Sequence, residues 1–103
     1  MSQLIDVAGI DGFEPDTRRL VAIDGISIAL FNLGGEIFAI QDACPHDGGE
    51  LAKGKLDGEE IICPRHGARF SIKTGAVLSP PAYENLTTFR VQVKEGRVLL
   101  LIE

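Results

Sequence analysis

The stretch that decides this chain runs from Glu36 to Phe70, EIFAIQDACPHDGGELAKGKLDGEEIICPRHGARF. It carries Cys44 and His46 in "CPH", then Cys63 and His66 in "CPRH", with sixteen residues between the two halves. These four are the only cysteines and the only histidines in the sequence. A chain that keeps every thiolate and imidazole donor in two short segments is built around one metal centre. Pro45 and Pro64 follow the cysteines and cannot donate to a regular β-ladder, so both pairs fall on turns rather than within strands. Gly48, Gly49 and Gly67 supply the backbone freedom such loops require, and amides in tight turns can point at metal-bound sulfur.

Outward from this stretch, turn residues recur at short intervals between runs rich in β-branched and aromatic residues, the pattern of an all-β sandwich or barrel. Asp24-Gly25 separates RRLVAI from ISIALFNL, Gly34-Gly35 separates the latter from EIFAIQ, and Glu95-Gly96 separates FRVQVK from RVLLLI. Each is a two-residue link that tolerates positive φ and closes a hairpin. Asp57-Gly58 reads as a fourth, turning GKL into EEIIC. Phe89, Val91 and Val93 alternate with Arg90, Gln92 and Lys94, which predicts one buried and one wetted face. No stretch has a helical period, and no internal repeat or linker is present. The two donor loops leave the ends of EIFAIQ and EEII, with one short hairpin between them, so they should meet at one end of the β structure.

At 103 residues the chain is expected to form a single domain over 1–103, too small for a second catalytic domain. Its hydrophobic fraction of 45% and charged fraction of 24% are those of an ordinary globular protein, and no apolar run approaches the roughly 20 residues of a membrane helix. The N-terminal MSQLIDVAGIDG has no basic segment followed by an apolar one, so no secretory signal is read and a cytoplasmic location is expected. In a reducing compartment the two cysteines favour metal ligation over a disulfide. A formal net charge of -5 without a basic stripe argues against nucleic acid. The acidity suits a basic protein partner, or simply keeps the protein in solution.

Two thiolates and two imidazoles suit either a tetrahedral structural zinc or a 2Fe-2S cluster with two cysteines on one iron and two histidines on the other. Zinc fingers usually pair like with like at short intervals, whereas each loop here carries one Cys and one His. In this the sequence resembles the Rieske ferredoxins, whose first loop reads C-x-H and whose second reads C-x2-H followed by Gly, as Cys44, His46, Cys63, His66 and Gly67 do. The motif resemblance spans about residues 36–82 and includes SPPA at Ser79 to Ala82, which looks like the family's Pro-rich covering loop, though an ordinary surface turn would read the same. It implies a Rieske-like antiparallel β-sandwich or barrel of short strands with a small cluster-binding subdomain, about 43–82, formed by two loops. It also implies that Cys44 and Cys63 bind the inner iron through Sγ, and that His46 and His66 bind the outer iron through Nδ1.

Neutral imidazoles in place of two thiolates leave the cluster less negative, so an electron is added more easily than to an all-cysteine cluster. High-potential members of the family have a Ser directly after the His-Gly pair, a Tyr two residues on, and an extra disulfide-paired Cys in each loop. Here Ala68 and Phe70 stand at those places and no further Cys exists. The resemblance is therefore to the low-potential, bacterial dioxygenase-ferredoxin-like branch, with a potential near the bottom of the Rieske range, about -150 mV.

The mononuclear iron of Rieske oxygenases takes two histidines and a carboxylate, and no histidine is left for one. No G-x-G-x-x-G fingerprint follows a strand, so the chain should not bind NAD(P)H or flavin itself. What remains is a monomeric one-electron carrier without its own catalytic site, passing electrons from an NAD(P)H-dependent reductase to a terminal oxygenase or related oxidoreductase. Its alternatives are a small Rieske subunit of a nitrite-reductase-type enzyme and a zinc-stabilised binding module. Arg65 and Arg69 flank His66 and either steer a partner or are solvated. Glu50, Glu59 and Glu60 read as solvated loop charges, and Phe38 and Phe70 as core, with Phe70 placed to pack beneath the loops.

Overall fold

A computed structural model describes residues 3–45 and 48–102. Among these the secondary structure is entirely β: β1 (Gln3–Gly9), β2 (Thr17–Ile23), β3 (Ile26–Leu33), β4 (Glu36–Gln41), β5 (Lys55–Asp57), β6 (Glu60–Ile62), β7 (Arg69–Ser71), β8 (Thr88–Lys94) and β9 (Arg97–Ile102). A six-stranded antiparallel sheet has the order β1-β9-β8-β4-β3-β2, and a three-stranded one the order β5-β6-β7.

Three hairpins close where the turn residues place them. Asp24 and Gly25, Gly34 and Gly35, and Glu95 and Gly96 all have positive φ, between 51° and 99°. Positive φ at both central residues matches the right-handed twist of the flanking strands, which is why these pairs fix the strand ends. The fourth turn differs from expectation by one residue. Asp57 pairs with Glu60, so the link is Gly58-Glu59, and Gly58 holds the positive φ at its first position.

The large sheet is continuous through only two residue pairs at its middle, Ala39 with Phe89 and Ile40 with Thr88. Its two halves curl about a shared core in which Ile28, Leu30, Ile37 and Ala39 of β3 and β4 meet Val98 and Leu100 of β9 and Phe13. The splayed edge corrects one expectation. Phe89 and Val91 pack against this core, but Val93 is 49% exposed, because β4 no longer pairs with β8 at that level. Two strands were not foreseen. β1 pairs along β9 with an irregularity between Asp6 and Ala8, and β7 adds a third strand to the small sheet.

β3 is apolar on both faces, and the period of two explains the use of each. Ile28 and Leu30 face the sheet core, whereas Ala29 and Phe31, with Ile40 of β4, face a second core. That second core contains Leu51, Ile61, Phe70, Ile72, Ala82 and Leu86, together with Cys44 and Cys63. Phe70 is fully buried there, while Phe38 is half-buried at its margin. The β3–β4 hairpin is thus a wall, with the sheet core behind it and the cysteine loops in front.

Candidate metal centre

Each cysteine opens a loop closed by the same pair of backbone hydrogen bonds. In the first, the Cys44 N–H donates to the Gly49 carbonyl at 2.9 Å and the Gly48 N–H donates to the Cys44 carbonyl at 2.7 Å. In the second, the Cys63 N–H donates to the Ala68 carbonyl at 2.8 Å and the Gly67 N–H donates to the Cys63 carbonyl at 3.0 Å. Gly48 and Gly67, each four residues after its cysteine, have φ of 74° and 76°, where a side chain would be strained. In backbone hydrogen bonding the two loops repeat one Cys-Pro-x-x-Gly unit, with the histidine one place later in the second.

Both units put the thiol inward, and the second puts its imidazole outward. Cys44 and Cys63 are 0% and 1% exposed, lie in one buried cluster, and are not joined by a disulfide. His66 is exposed. His46, the fourth expected donor, lies outside the described residues. Ala82 is buried in the same cluster, the Pro80–Pro81 bond is cis, and the Ser79 hydroxyl accepts the Arg69 N–H at 3.0 Å. The SPPA segment therefore packs onto the strand that leaves the second loop.

Three residues that hold the loops escaped the sequence reading. Asp42 is buried, and its Oδ1 accepts the N–H groups of Leu51 and Ala52, both at 2.7 Å. Its own N–H donates to the Ser27 carbonyl at 2.9 Å. Asp42 thereby grips the chain on both sides of the Cys44 loop. Arg18 reaches from β2, donates through Nη1 to the carbonyls of Ala52 and Gly54, and lies 5.8 Å from the Phe31 ring centroid. Gly54 packs so closely on the residue before Cys63 that a Cβ would stand 1.9 Å from the Ile62 carbonyl oxygen. A lone Asp at the end of an apolar strand was the one signal available for the first of these.

The charges around the loops are engaged. Arg69 pairs with Asp57 at 2.9 Å and with Glu60 at 3.2 Å, and those carboxylates, Asp57 foremost, raise its already high pKa. Glu59 pairs with Lys73 at 2.8 Å and Glu50 with Lys53 at 3.6 Å, so the three glutamates are ion-pair partners rather than only solvated charges. Arg65 donates to the Glu50 carbonyl at 2.8 Å and to Cys63 Sγ at 3.5 Å.

Two buried thiols on matched loops, with an imidazole at the surface beside one of them, fit an iron–sulfur centre bound at its inner end by sulfur. A family model for the Rieske [2Fe-2S] domain matches residues 3–90. The ferredoxin component of the naphthalene 1,2-dioxygenase/salicylate 5-hydroxylase systems of Ralstonia sp is 35% identical over 99 residues, covering 96% of this chain and 95% of its own. A solved complex of reduced oxygenase and oxidized ferredoxin in carbazole 1,9a-dioxygenase contains a chain that is 36% identical, with a TM-score of 0.88 over 94% of this chain and 91% of that one. The ferredoxin of carbazole 1,9a-dioxygenase from Nocardioides aromaticivorans IC177 has a TM-score of 0.87 at 28% identity, over 94% and 95% of the two chains. These matches select the cluster over zinc, and the chain belongs to the Rieske [2Fe-2S] domain family, as a ferredoxin-type member whose cofactor is a Rieske-type [2Fe-2S] cluster.

Proposed function

We propose that this chain is a single-domain, monomeric one-electron carrier, working in the cytoplasm between an NAD(P)H-dependent reductase and a terminal oxygenase. Cys44, His46, Cys63 and His66 are its cluster ligands on this reading, the cysteines on the inner iron and the histidines on the outer. The observation that carries the ligand assignment is the repeated loop: two Cys-Pro-x-x-Gly units with the same hydrogen bonds deliver two buried thiols to one cluster of residues. The bound group supplies reversible uptake of one electron. Burial of Cys44 and Cys63 keeps water from the sulfur side, and exposure of His66 leaves an imidazole edge where a partner can approach. The chain has no catalytic site of its own on this reading, since both histidines are used as ligands. Neither nucleic acid nor a membrane is a partner on this reading, and the net charge of -5 argues against the first.

The test is to purify the protein and measure iron and acid-labile sulfide, then follow its reduction by a reductase and reoxidation by an oxygenase. Equal iron and sulfide with cycling between the two enzymes is expected. One zinc per chain without sulfide would end the reading, and stoichiometric co-purification with a larger oxidoreductase would make the chain a fixed subunit instead.

A further inference from the structure

We propose that Arg65 is a positioning residue that clasps the two cysteine loops together and raises the reduction potential of the centre they hold. This rests on Cys63 being a cluster ligand. Arg65 belongs to the second loop, yet its guanidinium lies across the first. Nη1 donates to the Glu50 carbonyl at 2.8 Å, while Nη2 donates to Cys63 Sγ at 3.5 Å. Between these contacts the guanidinium rests on Gly49, where a Cβ would stand 2.6 Å from Cζ, 2.8 Å from Nη2 and 3.0 Å from Nε. Gly49 has no positive φ to accommodate, so the close approach of Arg65 is what requires its missing side chain. One planar, multidonor group therefore spans from a sulfur of one loop to the backbone of the other, a task suited to guanidinium and not to a point charge.

The electrostatic sign follows directly. Arg65 is charged at every working pH, and a charge-assisted N–H on a thiolate favours whichever state is more negative. Reduction adds one negative charge to the site, so Arg65 favours the reduced state. The other arginine flanking His66 is placed differently, since Arg69, on β7, turns to Asp57 and Glu60. Ala68 and Phe70 cannot offer the hydroxyls that raise the potential in other Rieske proteins, and Arg65 supplies a donor to Cys63 Sγ by another route.

The experiment compares the parent with Arg65→Gln, Arg65→Lys and Gly49→Ala, measuring iron and sulfide content, midpoint potential and the rate of cluster loss. Arg65→Gln should shift the one-electron equilibrium at least threefold toward the oxidised form, about 28 mV at about 59 mV per tenfold. Gly49→Ala should move it the same way by less, because the new methyl lifts the guanidinium off the loop. Arg65→Lys should keep part of the potential yet lose the cluster faster, since one ammonium cannot hold both contacts. A fully loaded Arg65→Gln with the parent potential would overturn the proposal. So would a poorly loaded one whose remaining cluster titrates like the parent, leaving only a structural tie. Should Arg65→Gln hold no cluster, Gly49→Ala decides, and an unchanged potential there overturns it. A parent without iron and sulfide would instead refute the ligand reading itself.

Discussion

Asp42→Ala should loosen the first cysteine loop more than any other single truncation outside the ligands. Asp42 Oδ1 accepts two backbone N–H groups at 2.7 Å in a buried setting. Orphaning a buried donor costs about 1–3 kcal/mol, so two cost about 2–6 kcal/mol. A domain of this size has about 5–15 kcal/mol in all, so the loss is a large share of its stability. Because every 1.4 kcal/mol is tenfold, a local opening that frees Cys44 should become at least about tenfold more frequent. The assay is the bleaching rate of the holoprotein in chelator, beside urea unfolding of the same samples. Asp42→Asn separates oxygen from charge: it keeps one acceptor and should fall between parent and Ala. If Asp42→Ala bleaches and unfolds within error of the parent, the two hydrogen bonds do not hold the loop and the reasoning fails.

The parent should titrate at about -150 mV, and His66→Cys or His46→Cys should lose the cluster or lower that potential by adding a negative ligand; a parent value well above zero, or unchanged titrations in both variants, would contradict this. Gly54→Ala puts a Cβ 1.9 Å from the Ile62 carbonyl oxygen, so it should cost about 1–3 kcal/mol by overpacking and lower cluster occupancy; normal unfolding and full occupancy would count against the contact. Arg97 holds the Asp6 pKa below 3.8, first through its side-chain hydrogen bonds, so the pair stabilises the fold above that pH and loses its effect as pH falls through the folded-state value. The urea midpoints of parent and Asp6→Asn should therefore differ at neutral pH and converge in acid; a constant gap would refute the linkage. Chelation of the metal should speed amide exchange in β5–β7 while β3 and β9 stay protected, and uniform loss of protection would show that the two cores are one.

Much of the fold was legible because its turns are chemically specific. β3 begins and ends, and β4 and β9 begin, where the positive-φ pairs place them, since a slip by one residue would turn Ile28 and Leu30 out of their core. What failed was non-local. β1 has no turn pair of its own and is a strand through its pairing with β9, which the local sequence does not announce. β7 is only Arg69–Ser71, too short to show a period, and is held by β6. Val93 has the right alternation, but its neighbour across the sheet ends too early. At the site, the cysteines and glycines were legible from spacing, whereas Asp42, Arg18 and Gly54 act on backbone groups eight or more residues away.

The wall formed by β3 and β4 explains how a small chain can carry a centre beside an exposed histidine, His66, and keep its fold. Truncating Phe31, whose side of the wall faces the cysteines, would cost about 3–5 kcal/mol, but from the front core; Ile28 and Leu30 on the other side seal the sheet without touching that core. The metal site therefore does not have to nucleate the large sheet, as the metal of a zinc finger must nucleate its fold. It has only to order the segment from Cys44 to Ala82, whose own sheet has three strands of three residues each and no independent claim to stability. Arg18 crosses from β2 to the carbonyls of Ala52 and Gly54, and Asp42 grips Leu51 and Ala52 from the end of β4, so the rigid sheet fixes the loop return that lies between the two cysteines. Rigid positioning of the thiols comes from behind, and the outward face is left to His66, so a partner can meet the imidazole edge without disturbing what holds the sulfur.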